Sequence, residues 1–124
     1  MPYEEFMMSI SSLGSGLSGM IANAKALDSS ANNIANSSTN GYRPEVANFE
    51  EGSPNGVTVN ISQAGAAAAS GATASSSSSS EAPSGTDLIS DTVNSIQYAN
   101  AFKLNAQVVK TADQVLGTLV DLKA

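Results

Sequence analysis

Few side chains in this 124-residue chain could carry chemistry, and their spacing argues against it. The acidic pairs Glu4–Glu5 and Glu50–Glu51 are the candidates for general acid–base work. Adjacent carboxylates on an extended segment point to opposite faces, and neither pair lies on an apolar surface that would perturb a pKa, so both read as solvated charge. Serines are plentiful, but none sits in GxSxG or SxxK, and there is no His or Cys to serve as base or thiolate. The same absence removes the commonest zinc ligands and any disulfide framework, and leaves the redox compartment open. The stretch LGSGLSG lacks the preceding strand and the lysine of a phosphate-gripping loop. The expectation is a non-enzymatic protein with no cofactor and no metal.

Charge narrows the partners. Eleven acidic against five basic residues leave a net charge of −6, the wrong sign for displacing phosphate counterions, so no nucleic-acid partner is expected. Lys25, Arg43, Lys103, Lys110 and Lys123 are too scattered for a polybasic membrane anchor. No run of about 18 apolar residues exists, so no membrane insertion is expected. The start, MPYEEFMMSISS, has acids where a secretory signal needs bases and lacks a continuous apolar stretch, so export, if it occurs, uses no cleaved signal.

The elements that remain are helical. Ile10, Leu13, Leu17, Met20, Ala24, Leu27, Ala31 and Ile34 alternate steps of three and four, a heptad seam on a helix placed at 10–36. Gly14, Gly16 and Gly19 weaken its first turns, and either mark a frayed start or allow close backbone approach once a partner is present. The cluster from Ser37 to Gly41, with Pro44 behind it, ends the helix. Residues 1–9 read as an extension without fixed structure. Residues 37–63 read as a turn and an extended segment, with a short strand around Val57, Val59 and Ile61 after the Pro54-Asn55-Gly56 turn. Residues 64–85 have no large apolar side chain and read as a flexible Ser/Ala-rich linker.

Helical periodicity returns over 86–124, with Ser84 and Asp87 at N-cap and N3 spacing. Phe102, Val109 and Leu116 form one stripe, with Tyr98, Ala112 and Leu119 beside it. Ala101, Leu104, Val108, Val115 and Leu122 form a second. This arc is wider than a two-stranded seam requires, which implies more than one neighbour.

The segment SGMIANAKALDSSANNIANSSTNGYR, residues 18–43, resembles the N-terminal signature of the rod and hook subunits of the bacterial flagellum. Its most telling part is Ala31-Asn32-Asn33-Ile34-Ala35-Asn36 with Thr39, Gly41 and Tyr42. Val93-Asn94-Ser95-Ile96, Ala101-Phe102, Asn105-Ala106 and Thr111-Ala112-Asp113 through Leu119 are similar to that family's C-terminal motif. The resemblance implies an antiparallel pair of terminal helices stacked with other subunits into a tube. It also implies export through the flagellar type III apparatus. The implied partners are other rod subunits and copies of itself, and the implied location is the periplasmic rod of the basal body. The implied assembly face is Ile10, Leu13, Leu17, Met20, Leu27 and Ile34 with Phe102, Val109, Leu116 and Leu119. Asn32, Asn33 and Asn36 would make amide contacts to neighbours. Tyr98, Leu104, Val108 and Val115 complete the expected interface. The short middle of the chain favours a proximal-rod-like member.

The expected fold is therefore all-α, two amphipathic helices pairing antiparallel in coiled-coil fashion, joined by a short extended or β segment and a flexible Ser/Ala-rich linker. A competing reading is a soluble helical-hairpin binding module or export-associated adaptor. In it, Leu104, Val108 and Val115 would form a groove for one partner.

Overall fold

A computed structural model describes residues 2–53, 56–63 and 83–123 of the chain. Helix α1 spans Pro2–Ala35, strand β1 Glu45–Glu51, strand β2 Val57–Gln63 and helix α2 Leu88–Lys123. Most of the expected linker, residues 64–82, and Pro54-Asn55 of the expected turn lie outside the described residues.

Helix α1 begins eight residues before the expected start, so all but the first residue of the 1–9 extension belongs to the helix. Proline at the first helical position sacrifices an N–H that has no intrahelical acceptor, and Glu4 and Glu5 in the first turn oppose the positive end of the helix dipole. The other end closes where the turn formers predict. The Asn36 N–H donates to the carbonyls of Asn32 and Asn33 at 3.1 and 3.2 Å, and Gly41 takes a φ of 75°, a conformation that costs glycine little. Expected as the third residue of α2, Asp87 is instead its N-cap. Its Oδ1 accepts the Ser90 N–H at 3.2 Å, and its Oδ2 accepts the Ser90 hydroxyl at 2.9 Å.

The extended middle is a β-hairpin. β1 and β2 pair antiparallel from Glu45↔Gln63 to Glu51↔Val57, so the expected extended or β segment is a two-stranded sheet, with the strand foreseen at Val57, Val59 and Ile61 as its second member. Directly opposed residues share a face, which puts Ala47, Phe49, Val57, Val59 and Ile61 on one side, with Glu45, Glu51 and Gln63 at its ends, and Val46, Asn48, Glu50, Thr58, Asn60 and Ser62 on the other. The apolar side is turned to the helices. The rings of Phe49 and Tyr98 lie 5.7 Å apart, and the Val57 N–H donates to Ser18 Oγ at 3.1 Å.

The two helices touch in opposite order. The Ser9 hydroxyl donates to the Ala112 carbonyl at 3.1 Å near one end, and Asn33 Nδ2 donates to Asp91 Oδ1 at 3.0 Å near the other. Between them a Cβ at Gly16 would come within 2.7 Å of Val109 Cγ2, and a Cβ at Gly19 within 2.7 Å of the Asn105 amide. A larger residue at either position would have to displace the Val109 or Asn105 side chain. Ala22, Ala26 and Ala112 are the buried apolar residues among those described, alongside Ser9, Asn23, Ser29, Ser30, Asn33 and Asp91.

That list corrects the expected seam. The buried α1 positions are Ser9, Gly16, Gly19, Ala22, Asn23, Ala26, Ser29, Ser30 and Asn33; all but Ala22 and Ser29 follow a heptad displaced by one residue, about 100° of rotation, from the apolar one. Volume explains the choice. The α2 residues that meet this face include Asn105 and Val109, whose side chains leave room only for small residues opposite them.

Candidate functional site

Two kinds of surface stand out: a buried polar junction and a set of uncovered apolar faces. The junction centres on Asn33, one turn before the end of α1. Its Nδ2 donates to the Glu45 carbonyl at 2.9 Å and to Asp91, while its Oδ1 accepts the Glu45 N–H at 2.7 Å and the Tyr42 hydroxyl at 3.0 Å. An amide offers two donors and two acceptor lone pairs, so its capacity is used in full. Asn33 is also the largest fully buried side chain among the described residues. One side chain thereby ties together the end of α1, the turn, the start of β1 and the first turns of α2. Gly85 adds to the junction by donating its N–H to the Tyr42 carbonyl at 3.1 Å, which fixes the last residues of the expected linker.

The electrostatics follow from this packing. Burial raises the pKa of Tyr42, and the nearby carboxylates of Glu45 and Asp91 raise it further. Tyr98 is raised first by burial and then by Asp91. Asp87 is lowered, mainly by the hydrogen bonds it accepts from Ser90. The Ser29 hydroxyl is buried without a hydrogen-bond partner among the described residues. No grouping of acidic side chains there could hold a metal ion, and no helix is long and apolar enough to cross a membrane.

The residues expected to face neighbours therefore separate. Asn33 makes its amide contacts within the chain, because every hydrogen-bonding position it has is taken. The Asn36 Nδ2 returns to the Asn32 carbonyl at 2.8 Å, while Asn32 itself is exposed. Leu13, Met20, Leu27 and Ile34 are half-buried along one flank of the helix pair, as are Tyr98, Val109, Leu116 and Leu119 on α2. Phe102 sits at the margin, 36% exposed. Ile10 and Leu17 point away from α2, 44% and 52% exposed.

The second α2 stripe is also uncovered. Leu104, Val108 and Val115, with Met8 and Ser12 of α1, line an open groove of about 630 Å³. A single seam on α1 misses Tyr3, Met7 and Ile21, which extend the outward row of Ile10 and Leu17 along that helix. The signal was present in the 3, 7, 10, 14, 17, 21 spacing.

Comparison with protein families matches both helices. Residues 13–43 match the model described as flagella basal body rod protein, and residues 82–122 match the one described as flagellar basal body rod FlgEFG protein C-terminal. Together they span more than half of the chain, in the family's order and at opposite ends. No curated protein matches the chain.

Proposed function

We propose, from the premise that the chain belongs to the flagellar basal-body rod and hook family, that it is a structural subunit which builds part of the rod by association of its terminal helices. The observation that carries this reading is that the two matched segments are the two helices that pack on each other, while their remaining apolar faces are uncovered. We read the opposed order of their contacts as an antiparallel, coiled-coil-like pair. Small residues close the pair internally, and the large apolar residues are left for neighbours. That division suits a subunit whose stability is completed by assembly.

The partners in this reading are copies of the chain and other rod components, with no catalytic role. Export would run through the flagellar type III apparatus without a cleaved signal, and a chain free of cysteine with a small-residue core is compatible with delivery in an unfolded state. The final location would be the periplasmic rod.

The test is to purify basal bodies from cells carrying an epitope-tagged chain and to examine a deletion strain. The tag should co-purify with the rod, and the deletion should abolish motility with the rod arrested. Motile deletion cells with complete rods would refute the proposal. The open groove at Leu104, Val108 and Val115 is the feature that a binding-module reading would use. A 1:1 complex with a protein outside the flagellum that survives dilution would decide for that alternative.

A further inference from the structure

Three glycines interrupt the first half of α1, and two have a reason within the chain. Gly16 and Gly19 face Val109 and Asn105, where a Cβ would collide. At Gly14 a Cβ would meet nothing within 4 Å, and the residue is exposed. Glycine is the poorest helix former after proline, and the contacts of a single copy give no cause for an exposed one at this position.

Its neighbours suggest the cause. Gly14 lies between Met7 and Ile21 in one row and between Ile10 and Leu17 in the adjacent row, with Tyr3 at the end. Tyr3 is 73% exposed, and Met7, Leu17 and Ile21 are each 52% exposed. Together with Ile10 these residues present on the order of 600 Å² of apolar surface, at the upper end of what a monomer normally leaves uncovered. Gly14 is a notch in the middle of it. From Phe6 to Ala24 the sequence carries no charge, so nothing along this face repels an apolar partner.

The chain itself supplies a matching ridge. Leu104, Val108 and Val115 lie on the other helix at steps of four and seven, with Thr111 between them, again without charge in the row. Resting on the subunit reading above, we infer that the α1 face centred on Gly14 receives the Leu104–Val108–Val115 ridge of a second copy, with Val108 seated over the Gly14 notch. The two surfaces differ, so the contact is heterologous and a joined pair keeps one free face of each kind, which propagates an assembly instead of closing a dimer. Area agrees. A single face falls below the roughly 800 Å² per partner of a standard stable interface, so one contact is weak and the second contact made by each copy is needed.

The test uses the full chain and compares Gly14→Ala and Gly14→Leu with the unsubstituted protein. By itself the Gly14→Ala chain should be more helical and melt at a higher temperature, because the site is open. Its self-association, measured by sedimentation, should fall about tenfold or more, and that of Gly14→Leu further. Because the chain has no cysteine, Leu17→Cys and Val108→Cys variants can be made separately and mixed under mild oxidation. A disulfide joining the two different variants is expected. Gly14→Ala associating as well as the parent, or Leu17→Cys cross-linking only to itself, would overturn the inference while leaving the subunit reading intact. Failure of the unsubstituted chain to associate at any concentration, alone or with other rod proteins, would remove both.

Discussion

Replacing Asn33 with alanine should unfasten the hairpin from both helices. Three of the four hydrogen bonds lost join neutral groups, each worth about 0.5–1.5 kcal/mol, and the one to the Asp91 carboxylate about 1.5–3 kcal/mol. The expected cost is about 3–7 kcal/mol, since the Glu45 backbone and the Asp91 carboxylate are left with little water to replace the amide. A domain of this size has about 5–15 kcal/mol in all. The assay is urea unfolding followed by far-ultraviolet circular dichroism, at a concentration where the parent is helical, with hydrogen exchange at the Glu45 amide. Asn33→Asp sharpens the test, because it removes both donors and sets a second carboxylate beside Asp91. Like charge raises the pKa of the introduced group in the folded state. Stability is therefore retained below its ordinary value of about 4 and lost as pH rises through the raised one. Asn33→Ala within about 1 kcal/mol of the parent, or Asn33→Asp without pH dependence, would refute the role assigned to this junction.

Other outcomes follow from the same geometry. Gly16→Ala gains about 1 kcal/mol of helix propensity but places a Cβ against Val109, for about 1–3 kcal/mol of overpacking, so a net loss is expected, and adding Val109→Ala should recover part of it in the same urea assay. Tyr42 and Tyr98 have raised pKa values in the folded chain, so their contribution is complete below pH of about 10 and is lost as pH climbs through the raised values. Helicity should fall together with the appearance of phenolate absorbance, and Tyr42→Phe should shrink that alkaline step. Asp87 is lowered, so its cap holds above the ordinary carboxylate value and fails as pH drops through the lowered one. Asp87→Ala should speed hydrogen exchange at Ser90 and Asp91 and leave the middle of α2 unchanged.

The ends of the elements were legible in the residues. The turn formers after Asn36, the β-branched alternation at Val57, Val59 and Ile61, and the Phe102–Val109–Leu116 stripe each act through local geometry, and each appears where the periodicity puts it. Pro2 with Glu4 and Glu5 is an equally local helix start, lying eight residues ahead of the first member of the apolar heptad.

Asn33 was singled out as a site residue, but a polar residue near a helix end has the same appearance whether it faces a neighbouring subunit or its own hairpin. Its four hydrogen bonds reach three residues, Tyr42, Glu45 and Asp91, and only the packed chain brings them together. The seam was decided in the same way. Hydrophobicity along α1 selects the apolar heptad for the first partner, whereas the close approach of Asn105 and Val109 of α2 selects the small one a residue away. Sequence by itself therefore established two helices with more apolar surface than one pairing can use. Tertiary structure decided which surface was used, because close packing is a matter of volume before it is a matter of polarity.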